Sequence, residues 1–252
     1  MRRAPARPAS AGPELLVPGV ARIDLDRMRR TGVPEVILAE GKSPQQLARI
    51  LASLRERGTG AIVSRLEPRH RSHLARVGLR LRYRAHGRIG IGPGPLSARP
   101  VRGIVALLTA GTSDRPVADE AQAILEELGA TVLVEHDIGV AGLHRLLSAL
   151  LRTEARHPQV YLVAAGREGA LPTVVAGLVG APVVGIPTST GYGRGGRGEA
   201  ALSAMLQSCA PIAVVNIDGG VPAGLFALQL LHRRAPPAGT RPRPPRTLKR
   251  PP

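Results

Sequence analysis

Seven short segments of the chain carry residues from which a catalytic site could be assembled. Gly111-Thr112-Ser113-Asp114 ends one apolar run and opens a helical stretch. Such a turn offers backbone N–H groups and hydroxyls to a phosphate or carboxylate, or it is a plain helix cap through Ser113 or Asp114. Glu135-His136-Asp137 ends the next run, and Leu143-His144-Arg145 follows at a helix start, where a histidine is either structural or catalytic. Gly166-Arg167-Glu168-Gly169 holds a carboxylate between glycines, as a proton-transfer group or as a solvated loop side chain. The stretch from Pro187 to Gly198 contains Ser189, Gly191, Arg194 and Arg197 and is either an anion-gripping lid or a solvated loop. Cys209, the single cysteine, is a nucleophile or a small buried hydrophobe. Asn216-Ile217-Asp218-Gly219 adds one more acid at the end of an apolar run. No Walker motif, GxSxG elbow or HExxH pair is present.

Most of these segments follow short apolar runs: 104–108, 131–134, 160–163, 183–186 and 212–216. Helical stretches separate the runs, at about 116–128, 140–154, 170–179 and 199–208, with a further one at 221–232. Continuous apolar strands alternating with helices predict a parallel sheet covered on both faces. Right-handed crossovers then bring the strand C-termini to one edge, where α/β proteins bind ligands. Upstream, Ser43-Pro44-Gln45-Gln46 is a helix start with a capping box, and Leu47, Ile50, Leu51 and Leu54 share one face behind it. Short strands at 36–38 and 61–63 flank that helix and predict a small α/β module. The expected organisation is a disordered leader over 1–20, the first module at 21–86 and a glycine- and proline-rich link at 87–101. A catalytic domain at 102–232 and a disordered Pro/Arg-rich tail at 233–252 complete it.

The formal charge of +17 is uneven: +13 over residues 1–100, −3 over 101–232 and +7 over 233–252. Clustered arginine could neutralise nucleic-acid phosphates, but Tyr83, Tyr161, Tyr192 and Phe226 are the only aromatics, so stacking platforms for bases are nearly absent. Nucleic acid is therefore not the expected partner. One cysteine excludes an internal disulfide framework. The basic N-terminus lacks a signal-peptide core, and the longest charge-free run is broken by prolines, so a cytoplasmic protein without membrane contact is expected.

Taken in order, Gly111-Thr-Ser-Asp114, Gly142-Leu-His-Arg145, Ala165-Gly-Arg-Glu-Gly-Ala-Leu-Pro172, Val184-Gly-Ile-Pro-Thr-Ser189 and Val215-Asn-Ile-Asp-Gly219 resemble the LarB family. LarB enzymes begin synthesis of the nickel-pincer cofactor of lactate racemase. Their C-terminal domain is similar to PurE, the aminoimidazole ribonucleotide carboxylase/mutase. Asp26-Arg-Met-Arg-Arg-Thr-Gly-Val-Pro-Glu-Val-Ile37 and Gly41-Lys-Ser-Pro44 extend the resemblance into the first module. A PurE-type purine enzyme is the alternative, set back by that module and by Leu143-His-Arg-Leu146, where PurE would carry Ala-His-Arg-Thr-Pro.

The resemblance implies a PurE-like, flavodoxin-type three-layer sandwich behind a small α/β module. It implies carboxylation of the pyridinium ring of nicotinic acid adenine dinucleotide at C5, from CO₂ or bicarbonate, with cleavage of the phosphoanhydride. Pyridinium-3,5-biscarboxylic acid mononucleotide and AMP would be the products. Cys209 would be the covalent nucleophile, with Glu168 and His144 as further catalytic groups. Gly111, Thr112, Ser113, Asp114, Arg145, Gly169, Ser189, Gly191, Arg194, Arg197 and Asn216 would bind substrate. Asp114 or Asp218 would hold Mg²⁺, no organic cofactor is implied, and a homo-oligomer, by analogy with PurE an octamer, is expected.

Overall fold

The computed structural model describes residues 12–96 and 100–234, which form two α/β units. In the first, β1 (Glu14–Val17) and β2 (Ala21–Asp24) make an antiparallel hairpin that pairs Leu15 with Ile23. This corrects the expected disorder over 12–20. Alternation in Glu-Leu-Leu-Val puts Leu15 and Val17 on one face, and both are buried in the unit's core. Residues 1–11 lie outside the described residues.

After α1 (Arg27–Thr31) and β3 (Val36–Leu38) comes α2 (Pro44–Glu56). Its capping box forms as predicted: the Gln46 N–H donates to Ser43 Oγ at 3.1 Å and the Ser43 N–H to Gln46 Oε1 at 2.9 Å. Leu47, Ile50, Leu51 and Leu54 are its buried face. With β4 (Ala61–Ser64), α3 (Pro68–Arg76), β5 (Arg82–Arg84) and β6 (Ile89–Gly92), the unit completes a mixed sheet in the order β3-β4-β6-β5. Strand β6 corrects the expected link at 87–101. Ile89 and Ile91 project to one face, whereas a Cβ on Gly90 would come within 2.7 Å of Leu66 and 2.8 Å of Leu81. Glycine here admits two leucines rather than marking a linker. The connection between units begins after Gly92, and 97–99 lie outside the described residues.

The second unit runs β7 (Ile104–Thr109), α4 (Arg115–Glu127), β8 (Thr131–Glu135), α5 (Leu143–Glu154), β9 (Val160–Ala165), α6 (Leu171–Ala176) and β10 (Val183–Pro187). It ends with α7 (Glu199–Leu206), β11 (Ile212–Val214) and α8 (Gly220–Arg234). The five strands are parallel, in the order β11-β10-β9-β7-β8. Along them Val105, Leu107, Leu162 and Val184 pack with α4 and α8, while Ala106, Leu108, Tyr161 and Val163 pack with α5, α6 and α7. The result is the expected three-layer sandwich. Helix α8 runs two residues past the expected end at 232; residues 235–252, most of the anticipated tail, lie outside the described residues.

The first unit docks on the α4–α8 layer, where Ile62, Ile89 and Ile91 join the core that holds Val105 and Ile124. Around this contact Arg82 bonds Glu127 at 2.6 Å, Arg84 pairs with Glu126, and Arg88 pairs with the buried Glu120. Part of the first unit's basic excess is thus met by the acidic face of α4. Among the described residues no helix is long and apolar enough to cross a membrane.

Candidate active site

The turns that follow β7, β8, β9 and β10 enclose a cavity of about 550 Å³ at the C-terminal edge of the sheet. The turns after β8 and β9 hold glycines that allow close backbone approach. Gly139 donates its N–H to the Ala110 carbonyl at 2.9 Å, and a Cβ there would come equally close to that oxygen. A Cβ on Gly166 would lie 2.1 Å from Thr190 Oγ1, so only glycine lets the β9 turn lie against the β10 turn. Gly169, at φ +64°, packs on the Ala201 backbone beneath Glu168. The N-termini of α4 and α5 face this edge and favour anions.

Asp114 is the hub of the floor. It is 4 % exposed; Oδ2 accepts the Gly111 N–H at 2.8 Å, and Oδ1 accepts the hydroxyls of Thr188 at 2.5 Å and Thr190 at 2.8 Å. On one wall Arg145 donates through Nη1 to the carbonyl and carboxylate of Asp137, at 2.7 and 2.8 Å. On the other, the Arg167 guanidinium lies 4.8 Å from the centre of the Tyr192 ring and donates to its hydroxyl at 3.1 Å. Behind the floor, the hydroxyl of buried Thr109 lies 3.2 Å from His136 Nδ1, and burial, then Arg115, lowers the His136 pKa.

Gly111, Ser113, Asp114, Arg145, Glu168 and Gly191, six residues anticipated for the site, line this cavity. Thr112 and Gly169 lie in its turns without lining it. Ser189 is exposed, with its N–H on Asp218 Oδ1 at 2.9 Å. His144 faces a shallower neighbouring cavity of about 370 Å³, which shares Arg145. Arg194 and Arg197 are exposed and line neither space; Arg167 is the guanidinium beside Glu168 instead. Asn216 and Asp218 line a separate cleft of about 380 Å³ between the two units.

Cys209 is exposed in the turn between α7 and β11. Because Ile212 pairs with Val183, the first residue of β10, this turn lies at the N-terminal edge of the sheet, opposite the cavity. A single chain therefore does not bring Cys209 to Glu168. Thr190, Gly139, Gly166, Arg167 and Tyr192 also line the cavity, with the buried Thr188 behind Asp114, and none of these was singled out from the sequence as a site residue. Gly139 and Gly166 carried a signal, each being a glycine within four residues of a strand's end.

The two carboxylates anticipated as alternative Mg²⁺ ligands stand apart from each other. Asp114 is occupied by three hydrogen bonds, Asp218 lies in the other cleft, and among the described residues no group of three or more His, Cys, Asp or Glu could hold a metal.

Residues 104–241 match the family model described as AIR carboxylase, and residues 16–92 match the LarB/PurE-like N-terminal domain. An uncharacterized protein of Methanocaldococcus jannaschii is 39 % identical over 223 residues, covering 84 % of this chain and 85 % of its own. The N5-carboxyaminoimidazole ribonucleotide mutase of Pyrococcus horikoshii is 31 % identical over 147 residues, 56 % of this chain and 79 % of its own. The crystal structure of Treponema denticola PurE covers 52 % of this chain and 85 % of its own, at 24 % identity and a TM-score of 0.41.

Proposed function

We propose, for a chain that belongs to the AIR carboxylase family and carries the LarB/PurE-like N-terminal domain, that the reaction is carboxylation of a pyridinium dinucleotide. The substrate would be nicotinic acid adenine dinucleotide, carboxylated at C5 and cleaved at its phosphoanhydride, as the first step of nickel-pincer cofactor synthesis. The observation that carries this reading is the N-terminal unit itself. It shares a core with the catalytic unit, and the mutase of Pyrococcus horikoshii covers only 56 % of the chain. The cavity is compatible with such a substrate, because two helix N-termini and Arg145 suit its phosphates and carboxylate.

The chemistry requires covalent help. A pyridinium ring is electron-poor, so its C5 does not attack CO₂ unaided. A thiolate adding at C6 removes the ring's positive charge and leaves an enamine nucleophilic at C5. After C5 captures CO₂, the C5 proton leaves to a base and the thiolate is expelled, which restores the aromatic ring. A cysteine suits both addition and departure. Glu168, at the cavity wall, is the candidate for the proton.

Cys209 must then reach the cavity from another copy, since it lies at the opposite edge of its own sheet. A homo-oligomer is favoured by Leu143, Leu147 and Leu151, which recur every four residues along α5 and are 53 %, 51 % and 75 % exposed. Incubating the protein with nicotinic acid adenine dinucleotide and labelled bicarbonate, with and without Mg²⁺, tests the assignment. Label in a pyridinium product is the expected result. Label in an imidazole ribonucleotide, when that substrate is offered instead, would favour the mutase chemistry of the purine relatives.

A further inference from the structure

We infer that Arg65, in the N-terminal unit, is a positioning residue for the candidate site, acting through Asp218 on the loop that walls the cavity. Arg65 follows β4 directly. Its Nη1 bonds Glu40 Oε2 at 2.7 Å, and its Nη2 crosses to the second unit and donates to the Asp218 carbonyl at 3.2 Å. Asp218 in turn grips the β10 turn twice: its N–H donates to the Pro187 carbonyl, and its Oδ1 accepts the Ser189 N–H, both at 2.9 Å. Ser189 stands between Thr188 and Thr190, the two residues held by Asp114 from inside. Thr190 lines the cavity, and its carbonyl accepts the Arg167 N–H at 3.0 Å. The wall is therefore pinned from within by Asp114 and from without by Asp218, and the outer pin is tied to the N-terminal unit by Arg65.

Backbone conformation marks both members of this pair, which are two of eight described non-glycine residues with positive φ. Arg65 at φ +53° and Asp218 at φ +55° are both non-glycine residues in the left-handed region, and they meet across the interface. Such conformations persist where surrounding contacts over-determine them, and they concentrate where geometry serves function. The two residues line the open cleft of about 380 Å³ rather than a packed seam, so directed polar contacts hold this corner. Arg65 does not line the cavity of about 550 Å³, which makes its effect indirect. Identifying that cavity as catalytic rests on the proposed function; the contact chain itself does not.

Hydrogen exchange by mass spectrometry on the full-length, ligand-free protein tests the inference without a substrate. In Arg65→Met, peptides carrying the Ser189 and Asp218 amides should exchange about three- to tenfold faster, the range of one lost hydrogen bond. Peptides from β7 and β9 should not change. Arg65→Lys keeps a donor on a long stem and should recover part of the protection. In turnover assays Arg65→Met should raise KM with kcat less affected, and Arg65→Lys should lie between it and the wild type. Unchanged exchange at Ser189 and Asp218 in folded Arg65→Met, or changes confined to residues 38–42 and 64–68, would overturn the inference. If Arg65→Met does not fold, Glu40→Gln, altered at an exposed side chain, should speed exchange at the same two amides, and wild-type rates there would equally overturn it. A wild-type protein that incorporates no label would sink the reaction assignment and leave the exchange result standing.

Discussion

Thr188 donates its hydroxyl to Asp114 Oδ1 at 2.5 Å and so ties the turn after β10 to the turn after β7 across the sheet edge. Everything that faces the cavity from these two turns depends on that junction. Asp114 accordingly serves as a bracket between the two loops while it lines the cavity.

Asp114→Ala should remove the acceptor of the Gly111 N–H and of at least one of the two hydroxyls, which lie 2.6 Å apart, at a cost of about 1–3 kcal/mol in unfolding free energy. Asp114→Asn, which keeps one acceptor oxygen, should cost less. Because the wild-type carboxylate is already engaged, Mg²⁺ alone should leave the thermal midpoint of the free protein unchanged. A midpoint that rises with Mg²⁺ and loses the rise in Asp114→Asn would show that the carboxylate binds the ion.

Gly166→Ala tests the closeness of the β9 and β10 turns. A methyl group there meets Thr190 Oγ1 at 2.1 Å and the Thr190 carbonyl at 2.4 Å, so the loop must move. A stability loss of about 1–3 kcal/mol, as for overpacking, and a raised KM are expected. Wild-type kinetics in this variant would mean that the two turns need not touch for substrate to bind.

The arginines near the cavity should differ in consequence. Arg167 lines it and is held by Tyr192, whereas Arg194 and Arg197 are exposed and line neither it nor the neighbouring cavity. Arg167→Ala should raise KM about tenfold or more if its guanidinium pairs with a substrate anion. The double change of Arg194 and Arg197 to Ala should stay within a few-fold of wild type. The reverse ranking, in side-by-side assays, would restore the glycine-rich loop as the anion grip.

The sequence made the second unit's strands readable because each is a short apolar run that gives way to a polar or glycine-rich turn. It hid β1, because Leu15-Leu16-Val17 ends at Pro18 and its partner strand begins only at Ala21. It hid β6, because alternating glycine resembles a linker until Leu66 and Leu81 are seen to need the space. The bracket on Asp114 was out of reach for another reason. Thr188 and Thr190 lie 74 and 76 positions away, and nothing local marks them as its donors. The wrong edge for Cys209 was latent in the chain order, since a turn from α7 into a parallel strand must enter at the strand's N-terminus.

Glu120 links the unit interface to pH. Burial raises its pKa above the ordinary value of 4.5, against the opposing pull of Arg88. The folded state therefore binds more protons than the unfolded chain between 4.5 and the raised value, and stability falls as pH rises through that window. Below 4.5 the carboxyl is largely protonated in both states and its contribution flattens. Glu120→Gln cannot titrate, so thermal midpoints measured from about pH 4 to 7 should decline less steeply than in wild type. Parallel profiles would mean that the ion pair with Arg88 cancels the cost of burial.

The most demanding prediction concerns Cys209 and Glu168, which one chain holds at opposite edges of the sheet. Cys209→Ser keeps the side chain's shape but offers almost no alkoxide near neutral pH, so ring carboxylation should fall to background. Glu168→Gln should also lose most turnover, by removing the proton acceptor while keeping the loop's shape. If the thiol enters from a neighbouring copy, mixing the two inactive proteins and letting subunits exchange should restore activity. Some sites would then combine an intact Glu168 with an intact Cys209 from another chain, about a quarter of them under random mixing. If each chain's thiol served its own cavity, every site in the mixture would carry one lesion and activity would stay at background. Restoration together with a thiol adduct on the pyridinium, seen by mass spectrometry of the trapped enzyme, would support both the covalent step and its shared site. An active Cys209→Ser enzyme would remove the covalent step whatever the mixture did.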